Sequence, residues 1–147
     1  MDDRPETPPS AIYREEFTVP ETAIDENGHV NNVVFVQWMQ NVATRHFESA
    51  NGRAAMLAAG GAWVVRSHKV EYLSPAFAGE RVQSMTWVAN LNRALSLRRY
   101  RFLRASDGKL LVRGETQWVF VSIRTGRPIS VPEDLQRAFS LLPDEEP

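Results

Sequence analysis

The sequence predicts an α+β fold in which one long central α-helix is wrapped by a curved antiparallel β-sheet of about five strands. Three observations carry this. A stretch from about Asn31 to Ala50 has helical periodicity, yet Val33, Val34, Phe35, Val36, Trp38 and Met39 make its first half apolar around most of the circumference, the pattern of a buried helix. Long strand-like segments follow it, each ended by turn residues. The connections between them are too short for parallel crossovers, which need a dozen or more residues, so neighbouring strands run antiparallel as a meander. A single helix loses water on all sides only if that sheet curls around it.

Taken in order, Ile12 to Val19 reads as a first strand that Pro20 ends, because proline cannot donate to a ladder. The turn-rich stretch Ile24-Asp25-Glu26-Asn27-Gly28-His29 separates it from the helix. Ala62 to Leu73 forms the next strand and stops at Ser74-Pro75; Arg81 to Leu91 stops near Asn92. Leu95 to Ala105 stops at Ser106-Asp107-Gly108, whose Asp-Gly pair is a hairpin signal. Lys109 to Ile123 shows period-two alternation of Leu110, Val112, Thr116, Trp118 and Phe120 with their neighbours, and ends at Thr125-Gly126-Arg127-Pro128. Pro132 to Phe139 reads as a short terminal helix with proline in its first turn.

A chain of 147 residues has room for one core, so one domain is expected over residues 11–142, with tails at 1–10 and 143–147 where proline and charge leave little to bury. Basic and acidic side chains number 17 and 18, a balance without the field that gathers a protein onto nucleic acid or an anionic membrane. No cysteine is present, which removes disulfide frameworks, thiolate metal sites and cysteine nucleophiles and fits a reducing cytoplasm. The start shows no basic segment leading into an apolar one, and no apolar run reaches bilayer length, so a cytoplasmic protein without a membrane role is expected.

The residues that carry chemistry sit between the first strand and the helix. A helix N-terminus presents unpaired N–H groups and partial positive charge, so Gly28, His29 and Val30 are the positions expected near a substrate carbonyl. Glycine at position 28 leaves room for close approach. On turn chemistry alone Asp25 reads as the head of an Asx turn, with a catalytic carboxylate as the alternative. Asn27 and His29 divide between site contacts and local backbone bonding, and Asn31 or Asn32 reads as the helix cap. His46 and His68 share no ligand spacing with His29, so neither a metal nor a cofactor is expected. No G-x-S-x-G elbow, G-x-G-x-x-G loop or P-loop occurs.

Arg93, Arg98, Arg99, Arg101, Arg104 and Arg113 concentrate charge on the third and fourth long strands. They read either as a grip for phosphate or another acidic group, or as a solvated strand face. Trp38, Trp63, Trp87 and Trp118 divide between the walls of an apolar ligand pocket and core, with core favoured.

Asp25-Glu26-Asn27-Gly28-His29-Val30-Asn31-Asn32, running into the apolar helix with Trp38, resembles the hotdog acyl-CoA thioesterases related to 4-hydroxybenzoyl-CoA thioesterase, bacterial long-chain acyl-CoA thioesterases in particular. It is also similar to plant acyl-carrier-protein thioesterases, whose D-x-N-x-H core is matched by Asp25, Asn27 and His29. The likeness continues through Val70 to Ala76, Gly79-Glu80, Trp118 to Val121 and Thr125 to Pro128.

The resemblance implies the hotdog fold and hydrolysis of an acyl-CoA or acyl-carrier-protein thioester, with Asp25 as general base or nucleophile. Backbone N–H groups at the start of the helix would polarise the carbonyl. It also implies a homodimer or homotetramer with active sites at the dimer interface. One departure stands out: the carrier-protein branch places a further glutamate just after the second strand, where this chain has Pro75. Within the same fold, a hydratase or dehydratase lacks its H-F-P-G type signature here, and a non-catalytic acyl-thioester binder is the remaining rival.

Overall fold

Five strands and one long helix divide the chain as their turn residues dictate. The computed structural model describes residues 11–143; the expectations for tails at 1–10 and 144–147 lie outside the described residues. In chain order the elements are β1 (Tyr13–Thr18), a 3-10 turn (Glu21–Ala23), α1 (Asn32–Ser49), α2 (Gly52–Ala58), β2 (Gly61–Tyr72), β3 (Arg81–Asn92), β4 (Leu95–Arg104), β5 (Leu110–Ser122) and α3 (Glu133–Arg137). All strand pairings are antiparallel, in the order β1-β3-β4-β5-β2.

The meander expected through all the long strands holds only for β3, β4 and β5. Strand β2 lies beyond β5 at the far edge, in register from Gly61 opposite Ser122 to Tyr72 opposite Val112. The eight residues between β2 and β3 carry the chain over two intervening strands. At about 3.3 Å per residue they reach about 26 Å, comfortably more than the three spacings, about 14 Å, that the crossing needs. Antiparallel direction is satisfied either way, and a connection of this length does not reveal which edge β2 joins.

Helix α1 lies across one face of this sheet. Phe35, Met39, Val42, Ala43 and His46 form its buried stripe at the i, i+4, i+7, i+8 and i+11 positions of one helical face. The four apolar members share a core with Tyr13 and Phe17 of β1, Val82 of β3, Tyr100 and Phe102 of β4, Val112 of β5 and Val70 of β2. Five flat strands would span about 19 Å, about twice the width of a helix, so contact with all five requires the sheet to curl.

Within one chain, however, the helix is not buried all round: Val33 is 73% exposed, and Val34, Val36 and Trp38 are half-buried. The sheet covers one side only. A second, smaller cluster of Phe120, Val131 and Leu135 forms with Phe47, Met56, Trp63 and Phe139 near the far end of α1. Helix α2 has no counterpart in the elements expected from the sequence. Asn51, at φ 59, turns the chain sharply at the end of α1 and starts it.

Candidate functional site at the start of the long helix

The chain reaches α1 through a miniature hairpin. An isolated bridge pairs Ile24 with Val30, Asp25 N–H donates to the His29 carbonyl at 3.0 Å, and Asn31 N–H donates to Ala23 O at 2.9 Å. At its tip Asp25 Oδ1 accepts Asn27 N–H at 2.8 Å while Asp25 O accepts Gly28 N–H at 3.0 Å. The Asx turn is therefore formed. Gly28 closes it at φ +86, a conformation that a side chain would strain.

One carboxylate oxygen is held in this turn, while Oδ2 has no hydrogen-bond partner among the described residues. Asp25 and His29 are half-buried, Glu26, Asn27 and Gly28 are exposed, and Val30 is only 2% exposed, its side chain in the main core. The structure thus brings Asp25, Asn27, Gly28, His29 and Val30 together in one loop. They do not present their amides equally. Gly28 N–H is used within the turn and Val30 N–H donates to Ala76 O at 2.9 Å.

At the helix start, Asn31 is the cap, as its residue type suggests: Oδ1 accepts Val33 N–H at 2.9 Å. Among the described residues the N–H groups of His29 and Asn32 have no backbone partner. These two donors, beside the positive end of an 18-residue helix, give the place its chemical character.

The β2–β3 connection, which turn chemistry alone marks only as a strand ending, forms the other wall. Ala76 is fully buried and holds Val30, Phe77 meets the His29 ring edge-on at 6.4 Å, and Tyr72 Oη donates to Asn32 O at 2.8 Å. The connection is clamped in turn. Arg104 pairs with Glu80 at 2.8 Å and Asp107 at 3.0 Å and donates to Pro75 O at 3.2 Å, while Glu80 Oε1 accepts Phe77 N–H at 2.7 Å. No signal in the sequence marks this clamp beyond the ordinary turn residues Ser74-Pro75 and Gly79.

The arginines do not form a single patch. Alternation along β4 points Arg98 to the helix side at 5% exposure and leaves Arg99 and Arg101 on the opposite face, with Arg113 of β5. There Arg113 pairs with Glu71 at 3.1 Å and Arg99 with Glu115 at 3.7 Å, so acidic neighbours offset the charge. Arg93 lies exposed in the β3–β4 turn. Trp87 is buried at 1% exposure, but on the face of Arg99 and Arg101, away from α1 and outside both core clusters; Trp38 and Trp118 pack half-buried against the main core and Trp63 against the second cluster.

Among the described residues no three His, Asp or Glu side chains come together as a metal site, and no helix is long and apolar enough to cross a membrane. A pocket of about 230 Å³ opens at the other end of α1, about 22 Å along the helix from Asn32, and does not include the Asp25 loop.

The thioesterase-like superfamily model matches residues 19–139, a span that includes the loop, the helix and the sheet. The chain belongs to the thioesterase-like superfamily. Its fold is the hotdog fold. The structure is similar to a 1,4-dihydroxy-2-naphthoyl-CoA thioesterase from Synechocystis, with a TM-score of 0.78 and 19% identity over 86% of this chain and 94% of that one. It is likewise similar to a 12:0-ACP thioesterase from Umbellularia californica, with a TM-score of 0.79 and 17% identity over 92% of this chain and 54% of that one. In sequence, it is 26% identical over 128 residues to an L-carnitine dehydrogenase/betainyl-CoA thioesterase from Ruegeria pomeroyi. That match takes in 87% of this chain and only 26% of that protein, so the chain spans about a quarter of its curated relative.

Proposed function

We propose that this chain is an acyl-CoA thioesterase, hydrolysing an acyl thioester to a free acid and a thiol at the Asp25 loop. The observation that carries the reading is the placement of the Asp25 carboxylate. One oxygen is held by Asn27 N–H, the other has no partner among the described residues, and the open amides of His29 and Asn32 lie just along the chain at the helix start. Membership of the thioesterase-like superfamily supports the same chemistry.

In this reading a water molecule attacks the thioester carbonyl and gives its proton to Asp25. The oxygen that becomes negative is held by N–H donors at the positive end of α1, with His29 and Asn32 in place of the engaged Gly28 and Val30 amides. The C–S bond then breaks, and the departing thiolate takes the proton that Asp25 had accepted, which restores the carboxylate. Direct attack by Asp25, forming an acyl anhydride that water opens, uses the same groups. Pro75 stands where the plant carrier-protein enzymes place a glutamate, and Glu80 in the same connection is occupied by Arg104 and Phe77, which favours a mechanism with a single carboxylate.

The chain is proposed to act as a homodimer, or as a homotetramer built from two such pairs. Strand β2 is a 12-residue sheet edge on which Val64 is 44% exposed and Val65 36% exposed, and pairing with a symmetry mate would satisfy its backbone and cover its apolar surface.

The test is a thiol-release screen across aromatic, short, medium and long acyl-CoAs, with an acyl-carrier-protein substrate alongside. Release of thiol from at least one acyl-CoA is expected. An unchanged acyl-CoA that stays bound would point to a non-catalytic binder, and a change in enoyl absorbance without thiol would point to a hydratase. Turnover of the carrier-protein substrate alone would move the assignment to that class.

A further inference from the structure

Arg98 is a buried cation with no counter-charge among the described residues. Its Nη1 donates to His46 Nδ1 at 2.9 Å and to Thr86 Oγ1 at 3.0 Å, and the Phe139 ring lies 5.8 Å from its central carbon. A guanidinium stays protonated, and an unpaired buried charge is strongly unfavourable. Among the described residues no carboxylate lies within 4.0 Å of Arg98. His46 does not supply the missing charge. Burial first, then the neighbouring Arg98, holds it neutral with a pKa lowered to about 3.

The Nη1 bonds leave the Nε and Nη2 edge of Arg98 without a partner among the described residues, and that edge is the fork that accepts a carboxylate bidentately. Arg98 lines the 230 Å³ pocket at the far end of α1, whose walls include Phe47, Met56, Trp63, Trp118 and Phe139. At about 230 Å³ the pocket is smaller than the usual site for a drug-sized ligand, which suits a small organic molecule. Arg53 is tied to Glu48 at 3.2 Å in the same lining, so the pocket offers one uncompensated positive charge, enough for a monoanion, and a carboxylate that would repel a dianion.

We propose that this pocket is a second binding site, separate from the Asp25 loop, for a small free monocarboxylic acid. The apolar body, an aryl ring or a medium-length chain, sits among the aromatic walls, and the carboxylate caps the Nε/Nη2 edge of Arg98. The site does not depend on the thioesterase reading, because its ligand is the free acid and no turnover is involved.

The experiment is calorimetric titration of the full-length protein with benzoate and octanoate, and with benzyl alcohol and octanol as bodies of like size without charge. At least one acid should bind saturably, and its matching alcohol should bind at least about tenfold more weakly, since charge-assisted bonds carry the difference. Thr44→Phe, at an exposed lining position, should block the acid while leaving the melting temperature near wild type. Arg98→Met should weaken binding at least about tenfold in folded protein; if it does not fold, the acid-against-alcohol comparison and Thr44→Phe still decide. Equal binding of acid and alcohol, unchanged binding in either folded variant, or no saturable binding of either acid would overturn the proposal.

Discussion

Acidification should destabilise this protein through His46. The imidazole is 8% exposed, stacked on Tyr13 at 5.2 Å, met edge-on by Phe139 at 5.1 Å, and bonded through Nδ1 to the Arg98 guanidinium. Burial and that cation lower its pKa from 6.5 to about 3. Well above the ordinary value both folded and unfolded states hold it neutral, so it contributes nothing to the pH dependence. As pH falls below about 6.5 the unfolded chain takes a proton that the folded chain refuses, and stability is lost until the folded pKa is reached. At about pH 5 the loss amounts to about 1.5 pKa units, or about 2 kcal/mol.

The assay is urea unfolding at about pH 7.5 and about pH 5 for the wild type and for His46→Gln, whose amide oxygen still accepts from Arg98 but does not titrate. The wild type should lose about 2 kcal/mol more than the variant over that interval. Parallel losses in the two proteins, to within about 0.5 kcal/mol, would refute the reasoning.

Other consequences are simpler to measure. Asn31→Ala removes the cap that holds Val33 N–H and should cost about 1 kcal/mol, lowering the melting temperature by about 2–4 °C; an unchanged midpoint would show that the cap does not stabilise the helix. Gly61→Ala places a Cβ against the fully buried Phe120 ring, so about 1–3 kcal/mol and about 2–12 °C should be lost, and a variant as stable as wild type would contradict that packing. Light scattering at micromolar concentration should give at least twice the monomer mass, reduced by Val65→Lys on the β2 edge; a wild-type monomer would remove the dimer from the account.

Much of the fold is legible because its boundaries are chemical. Pro20, Ser74-Pro75, Asp107-Gly108 and Gly126 end or turn the chain shortly after β1, β2, β4 and β5 stop. The position of β2 is not legible, since Leu73 to Glu80 suits either a hairpin or a crossover and only packing around α1 decides between them. The arginine run misleads for a related reason. Composition treats it as one patch, but Ser96, Arg98, Tyr100 and Phe102 share a face, and burial of Tyr100 and Phe102 carries Arg98 inside.

In the candidate site, the turn spelled by Asp25, Asn27 and Gly28 and the cap at Asn31 are local and therefore readable. The engagement of Val30 N–H by Ala76 is not. It joins residues far apart in sequence, and it shifts the expected donors from Gly28, His29 and Val30 to His29 and Asn32.

The measurement that tests the proposed function most directly is steady-state hydrolysis by Asp25→Asn, on whichever acyl-CoA the screen identifies, with melting recorded on the same preparation. Asparagine keeps an oxygen to accept Asn27 N–H and so preserves the turn, but it can neither take a proton from water nor attack the carbonyl. The account predicts a near-normal melting temperature and a kcat lower by on the order of a hundredfold or more, with KM changed much less. A folded Asp25→Asn protein turning over the same acyl-CoA within a few-fold of wild type would contradict it, and would leave Asp25 as the head of an Asx turn and nothing more.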